Sequence, residues 1–173
     1  HDPLTELPNR RKFVEVYNEK KNENFTCAIV LLDLDNFKSI NDTMGHIYGD
    51  KVLKEVSKKL SSFVDEDIFV SRFGGDEFLV LIEQVNDRET VESIITKFSH
   101  LFDHPIEVDG HELDIRYSMG ASLYPKDSDD IDRLIMYADL ALYKVKSEQK
   151  NSYKFFDESM LSDLLEKSEI ETI

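Results

Sequence analysis

The sequence predicts an α/β sandwich of the α+β kind, with helices flanking a mixed, largely antiparallel five-stranded sheet. Three observations predict it. Four stretches carry apolar residues at helical spacing, and five carry the apolar, β-branched or aromatic composition of strands. The two kinds alternate without strict strand-helix-strand repetition. Finally, a Gly74-Gly75 pair between the strand-like residues 68–73 and 78–82 reads as a tight hairpin, which forces at least one antiparallel pair.

Taken in order, Phe13, Val16 and Tyr17 put one apolar face on a first helix. Residues 27–32, Cys27-Ala28-Ile29-Val30-Leu31-Leu32, are apolar throughout and read as a strand buried on both faces. Asp33 ends that run. Residues 33–50 form a polar stretch, followed by Val52, Leu53, Val56, Leu60 and Phe63 on a second helical stripe. After the hairpin, Val91, Ile94, Ile95, Phe98, Leu101 and Phe102 mark a third helix capped by Asp87. Asp109-Gly110 signals a turn before Ile115, Tyr117, Met119, Ala121 and Leu123, which alternate as a strand with one buried face. Leu134, Ile135, Ala138, Ala141, Leu142 and Val145 form the fourth helix, and residues 153–156 the last strand. No internal repeat or low-complexity tract interrupts this order.

The turn Arg72-Phe73-Gly74-Gly75-Asp76-Glu77-Phe78 carries chemistry as well as shape. Gly74 and Gly75 can take φ > 0 and admit a bulky ligand close to the backbone, beside the hard oxygen donors of Asp76 and Glu77. The turn alone fits an ordinary acidic surface hairpin equally well. Asp33 tips the balance, because a carboxylate at the end of a buried strand needs a partner. Two carboxylates about 4 Å apart repel by roughly 4 kcal/mol at an effective dielectric near 20. A cluster of Asp33, Asp76 and Glu77 is therefore stable mainly around a cation, and magnesium suits oxygen ligands and phosphates. Residues 33–44 are not an EF-hand loop, since Lys38 stands where glycine is required and Met44 where glutamate is. They hold a lysine for phosphate charge, and Asn41, His46 and Asp50 can hydrogen-bond a base edge. An amide with a carboxylate matches the O6 acceptor and the N1 and N2 donors of guanine. Singly, Asn41 or Asp50 reads more readily as a helix cap or turn residue.

Together these residues resemble the GGDEF family of diguanylate cyclases, whose signature stands here as Gly74-Gly75-Asp76-Glu77-Phe78. The resemblance begins at Asp2-Pro3-Leu4-Thr5-Glu6-Leu7-Pro8-Asn9-Arg10-Arg11 and includes residues 33–50. It continues through Ser118-Met119-Gly120-Ala121-Ser122 and Ala138-Asp139-Leu140-Ala141-Leu142-Tyr143-Lys144-Val145-Lys146. It implies a palm-like cyclase domain over residues 1–156 that binds one GTP. Two such domains, as a homodimer, would make cyclic di-GMP and release two pyrophosphates. The resemblance implies Asp33, the Leu34 carbonyl, Asp76 and Glu77 as ligands of Mg2+ or Mn2+. Asp76 and Glu77 are the implied catalytic pair, Asp76 taking the proton of the ribose 3′-hydroxyl. Asn41 and Asp50 match guanine contacts with His46 beside them, and Lys38 matches a phosphate contact. The amides of Asn36 and Phe37 would cradle phosphate oxygens, Gly75 would allow close approach, and Lys146 and Lys150 would complete a positive patch.

Two departures qualify the resemblance. Many members carry an Arg-x-x-Asp inhibitory site before the signature, but Val64-Asp65-Glu66-Asp67-Ile68 contains no arginine, which argues against feedback through that site. The family's Lys-x-x-Gly-Arg-Asn reads here Lys146-Ser147-Glu148-Gln149-Lys150-Asn151. Lysine keeps the charge of arginine but loses its bidentate fork, so weaker triphosphate binding is expected.

At 173 residues the chain fits one domain, enough to bury about 70% of its unfolded surface. Its single cysteine, Cys27, lies in an apolar strand, which excludes an internal disulfide and suits a reducing cytoplasm. No apolar run approaches the roughly 20 residues of a membrane span. A net charge of −15, from 36 acidic and 21 basic residues, argues against nucleic acid. It also weakens a nuclease or polymerase palm built on Asp33-Leu34-Asp35. The start at His1, directly before the first motif, predicts a domain cut from a longer chain. Residues 157–173 carry Met160, Leu161, Leu164 and Leu165 at helical spacing and resemble the join to a following EAL phosphodiesterase domain. The leading expectation is an active cyclase, and the alternative is a catalytically weak GTP-binding module that regulates an attached EAL domain.

Overall fold

The computed structural model describes residues 1–22, 24–85, 87–148 and 152–162. The elements run α1 (Arg10–Lys20), β1 (Cys27–Leu34), α2 (Phe37–Met44), α3 (His46–Ser61), β2 (Ile68–Gly74) and β3 (Glu77–Glu83). They continue as α4 (Arg88–His100), β4 (Ile106–Val108), β5 (His111–Leu113), β6 (Tyr117–Tyr124), α5 (Ile131–Glu148) and β7 (Tyr153–Phe155). The main sheet has five strands in the order β2-β3-β1-β6-β7. Every neighbour pair is antiparallel except β6 with β7, which is parallel. The sheet is therefore mixed and largely antiparallel, as the hairpin and the scattered helices require.

β1 lies at the centre and is buried along its whole length. Its alternate side chains feed two cores, because successive residues of a strand point to opposite faces. Ala28, Val30, Leu32 and Leu34 join Phe37, Ile40, Val52, Leu53, Val56 and Leu60 beneath α2 and α3. Cys27, Ile29 and Leu31 join Phe13, Tyr17, Leu134, Ile135, Ala138 and Leu142 beneath α1 and α5. Helices on both faces of one sheet make the sandwich. Asp87 caps α4 as its position predicts, accepting from the Thr90 backbone N–H at 2.7 Å. Burial pushes the Cys27 thiol up to about 12, so it is a packing residue and no nucleophile. Among the described residues no helix is long and apolar enough to cross a membrane.

Some expectations change. β6 is buried on both faces from Tyr117 to Ser122 rather than on one, because α5 covers the side that small residues made look polar. Ile115 precedes the strand. The Asp109-Gly110 turn closes a separate hairpin of β4 and β5 instead of leading into the main sheet. Both residues have positive φ, 52° and 81°, the backbone a two-residue hairpin of this hand needs. Leu101 and Phe102 lie beyond the end of α4. The polar stretch after Asp33 contains α2 and the first turn of α3.

Gly120 fixes how closely α5 seats. A Cβ there would lie 2.1 Å from the Ala138 carbonyl oxygen and 2.4 Å from the Leu142 nitrogen. Only a residue without a side chain lets α5 rest on β6 at this height, and α5 carries Asp139 and Lys146 toward the end of β1.

Candidate active site

Strand register assembles the acidic cluster. Asp33, the seventh residue of β1, pairs with Glu77 of β3 on one side and Ser118 of β6 on the other. Directly opposed residues share a face. Asp33 follows Cys27, Ile29 and Leu31 onto the α1 and α5 side. It is 6% exposed there. The turn closes over it, since the Leu34 backbone N–H donates to the Asp76 carbonyl at 3.4 Å.

The electrostatics follow from that burial. Lys146 Nζ donates to Asp33 Oδ2, while Asp33 Oδ1 is buried with no hydrogen-bond partner. Burial, then the charge of Asp33 and a hydrogen bond with it, raises Asp76 to about 6. Burial and then the charges of Asp33, Asp139 and Asp76 raise Glu77 to about 7, with Lys146 opposing. Asp139, whose side chain reaches solvent from α5, is raised by partial burial and then by Asp33. Burial alone would lower Lys146, but its hydrogen bond to Asp33 and the surrounding acids raise it. Among the described residues the cluster thus concentrates negative charge that the Lys146 ammonium only partly balances.

Among the described residues no group of three His, Cys, Asp or Glu side chains forms a ready cation cage. The donor set nevertheless fits a hard divalent cation. A buried, unpartnered carboxylate oxygen is costly unless something positive meets it. Two neighbouring carboxyls whose ionisation is suppressed become good ligands once a cation takes their charge.

Around this cluster the backbone stays open. Gly75 adopts φ 51°, and a Cβ at Gly74 or Gly75 would meet nothing within 4 Å. Gly74 itself ends β2 and does not take positive φ, so Gly75 alone supplies the left-handed turn residue. Asp76 and Glu77 are half-buried, whereas the two glycines are exposed. The tip proper is therefore Gly74-Gly75, and the acids sit one step inside it.

Arg72 secures the turn in a way the sequence reading did not assign. Its Nη2 and Nε donate to the Gly75 carbonyl at 2.7 and 3.1 Å, and its Nη1 reaches Asp2 Oδ2 at 3.0 Å. A charged residue two positions before a Gly-Gly turn was the available signal. Asp35 accepts from Ser118 Oγ at 2.7 Å, which ties the strand end to β6.

The remaining sequence-predicted residues lie on α2 and α3, beyond the Asp35-Asn36 turn. Asn36 precedes α2 without capping it by a side-chain hydrogen bond, and the first turn of α2 holds no acid. A helix start leaves its first N–H groups without a partner inside the helix, and the Phe37 N–H is one of them. Asn36 Nδ2 donates to the Asp114 carbonyl at 3.0 Å, and its Oδ1 is buried and unpartnered. Lys38, His46 and Asp50 are exposed, and Asn41 is half-buried with its Oδ1 also unpartnered. The structure thus brings Asp33, Asp76, Glu77 and Lys146 into one cluster and sets Asn41, His46 and Asp50 at the α2-α3 corner. Lys150 and Gln149 lie outside the described residues.

Comparison with known proteins follows the same residues. Residues 1–152 match the model of the family described as diguanylate cyclase, GGDEF domain. The cyclic di-GMP phosphodiesterase NbdA of Pseudomonas aeruginosa is 38% identical over 166 residues, 93% of this chain and 21% of that protein. The bifunctional diguanylate cyclase/cyclic di-GMP phosphodiesterase MucR of the same organism is 33% identical over 174 residues, 98% of this chain and 25% of that protein. The chain thus spans about a quarter or less of these relatives' length. A solved structure comprising only the GGDEF domain of YfiN from Pseudomonas aeruginosa superposes with a TM-score of 0.88 at 30% identity. That match covers 95% of this chain and 99% of the other.

Proposed function

Because the chain belongs to the diguanylate cyclase GGDEF domain family, we propose that it condenses two GTP into cyclic di-GMP with release of two pyrophosphates. One observation carries this reading. Asp33, buried with an unpartnered oxygen, stands across the strand from Glu77 and against Asp76, at the foot of an open glycine turn. Asp33, the Leu34 carbonyl, Asp76 and Glu77 would hold a divalent cation, magnesium or manganese. When bound, that cation supplies positive charge to the triphosphate and lowers the cost of gathering three carboxylates.

The chain's own groups do the rest. Lys146 and Lys38, with Lys150, would carry phosphate charge, and the amides of Asn36 and Phe37 would orient phosphate oxygens at the start of α2. Asn41 and Asp50, with His46 beside them, would read guanine. Gly75 leaves room for the nucleotide over the turn. In the chemical step the ribose 3′-oxygen of one GTP forms a bond to the α-phosphorus of another. The bond to the leaving pyrophosphate breaks, and the hydroxyl proton passes to the Asp76 carboxylate. Burial beside Asp33 raises Asp76 to about 6 in the metal-free chain, and a bound cation would offset that rise and keep the carboxylate ionised to accept the proton. The step occurs twice, once on each GTP, so two domains must face each other and alignment supplies much of the rate.

Incubating concentrated protein with GTP and Mg2+ should yield cyclic di-GMP. GTP left intact even when the domain is fused to an artificial dimeriser would sink this reading. The relative named as a phosphodiesterase favours a second one, a GTP-binding module regulating an attached EAL domain with little turnover of its own. On either reading residues 1–156 would form the nucleotide domain, and residues 157–173, of which 163–173 lie outside the described residues, would lead toward a following domain. A GTP titration alongside the turnover assay separates the two readings, because binding without product selects the module.

A further inference from the structure

Resting on the reading that this chain binds GTP, we propose that Gly49 is the positioning residue for Asn41 and thereby sets preference for guanine over adenine. The observation is steric. A Cβ at Gly49 would stand 1.8 Å from Asn41 Oδ1, 2.9 Å from Asn41 Cγ and 3.3 Å from Phe37 Cζ. The amide oxygen of Asn41 therefore occupies the space that a side chain at position 49 would fill.

Gly49 lies inside α3 without a positive φ, so its backbone does not demand glycine. Glycine within a helix is normally a liability compared with alanine. Its neighbour explains it. With Oδ1 held against the Gly49 backbone, buried and unpartnered, the other end of the amide is left to act. Among the described residues Nδ2 has no hydrogen-bond partner, and it keeps access to solvent.

That orientation has a chemical consequence. An outward N–H meets the O6 acceptor of guanine, while the exposed carboxylate of Asp50, adjacent to Gly49, can accept from N1–H and N2–H. Adenine carries an amino donor where guanine has O6, so the same amide would face it donor to donor. It also lacks the N2 donor. Sites that hydrogen-bond a substrate group reject analogues without it strongly, because their own polar groups are left unpaired. Gly49 touches no part of the base; it acts by making the space in which Asn41 takes this orientation.

The clash that Gly49→Ala creates is with the far end of a side chain, so the amide moves aside while the helix persists. The test titrates the native chain, Gly49→Ala, Asn41→Ala and the double variant with GTP and with ATP in Mg2+, and records each Tm. The native chain should prefer GTP at least tenfold. Gly49→Ala should lose at least tenfold in GTP affinity while its ATP affinity stays within threefold. In the Asn41→Ala background, Gly49→Ala should change GTP affinity less than twofold. Native-like GTP affinity in Gly49→Ala overturns the proposal, as does an equal loss with and without Asn41. A low Tm in Gly49→Ala that Asn41→Ala restores supports the contact, and one that it leaves low overturns the proposal. A native chain indifferent to GTP and ATP instead overturns the GTP reading itself.

Discussion

At Asp76 and Glu77, burial beside Asp33 makes the protonated form favourable in the absence of a cation. Their ordinary values are 3.8 and 4.5, and in the folded chain they lie at about 6 and about 7. The folded state therefore binds their protons more tightly than the unfolded state does, and the resulting stability is complete below about pH 4 and lost as pH rises through 6 and 7. Metal-free protein should show a falling Tm between pH 5 and pH 8. Asp76→Asn or Glu77→Gln should flatten that fall, and Mg2+ should restore Tm at pH 8 with little effect at pH 5. Identical pH profiles for native and variant proteins would show that these carboxyls are not coupled. Asp76→Asn should also abolish product, by at least 100-fold in a turnover assay, with a Tm at pH 8 equal to or above the native value. The variant keeps the shape of the side chain and removes its charge, so a matching loss of Tm would assign Asp76 to the fold instead.

The elements place these residues by register and by one close contact. β1 and β3 pair so that Asp33 faces Glu77, and a slip of one residue would turn Asp33 toward Leu32's core. The irregularity between Arg72 and Gly74 lets the β2-β3 turn bend where the ligand would lie. α5 reaches the site because Gly120 admits it. Gly120→Ala meets backbone on the opposite side, so α5 itself must shift. We expect a loss of about 1–3 kcal/mol, seen as a Tm lower by several degrees, together with weaker GTP binding as Lys146 withdraws. An unchanged Tm in thermal melting would mean that the seating is looser than 2.1 Å implies. Asp87 and the Gly74-Gly75 turn were legible from local sequence because capping and tight turns depend on a few neighbouring residues. The β4-β5 hairpin was not, since its strands are only three residues each and carry too little pattern.

For the whole molecule, a net charge of −15 and the proposed anionic substrate are reconciled locally. Lys146 meets Asp33 beside the turn, while most acids elsewhere are exposed to solvent. A mechanism that needs two GTP-loaded domains makes rate depend on meeting. At dilutions where the isolated chain is monomeric, the product rate should fall with the square of protein concentration, and fusion to a dimeriser should make it linear. Linear dependence in the unfused monomer would mean that one domain completes the reaction alone. Saturating GTP with Mg2+ should raise the Tm, because a ligand at 100 times its Kd adds about 2.7 kcal/mol to folded-state stability.

By itself the sequence determined the five strands, the four long helices, the hairpin turn and the acids that flank it. These depend on periodicity and on residues with special backbone freedom, which act over short distances. It also singled out Asp33, because a charge ending an apolar strand is anomalous without any knowledge of its neighbours. Only the tertiary structure decided that Asp33 lies across from Glu77 and beneath Lys146, that Asp139 joins them from α5, and that Arg72 ties the turn to Asp2. The role of Gly49 was equally hidden, since eight positions separate it from Asn41 and nothing local asks for glycine there. Such facts rest on strand register and helix approach, which packing across the whole sheet settles.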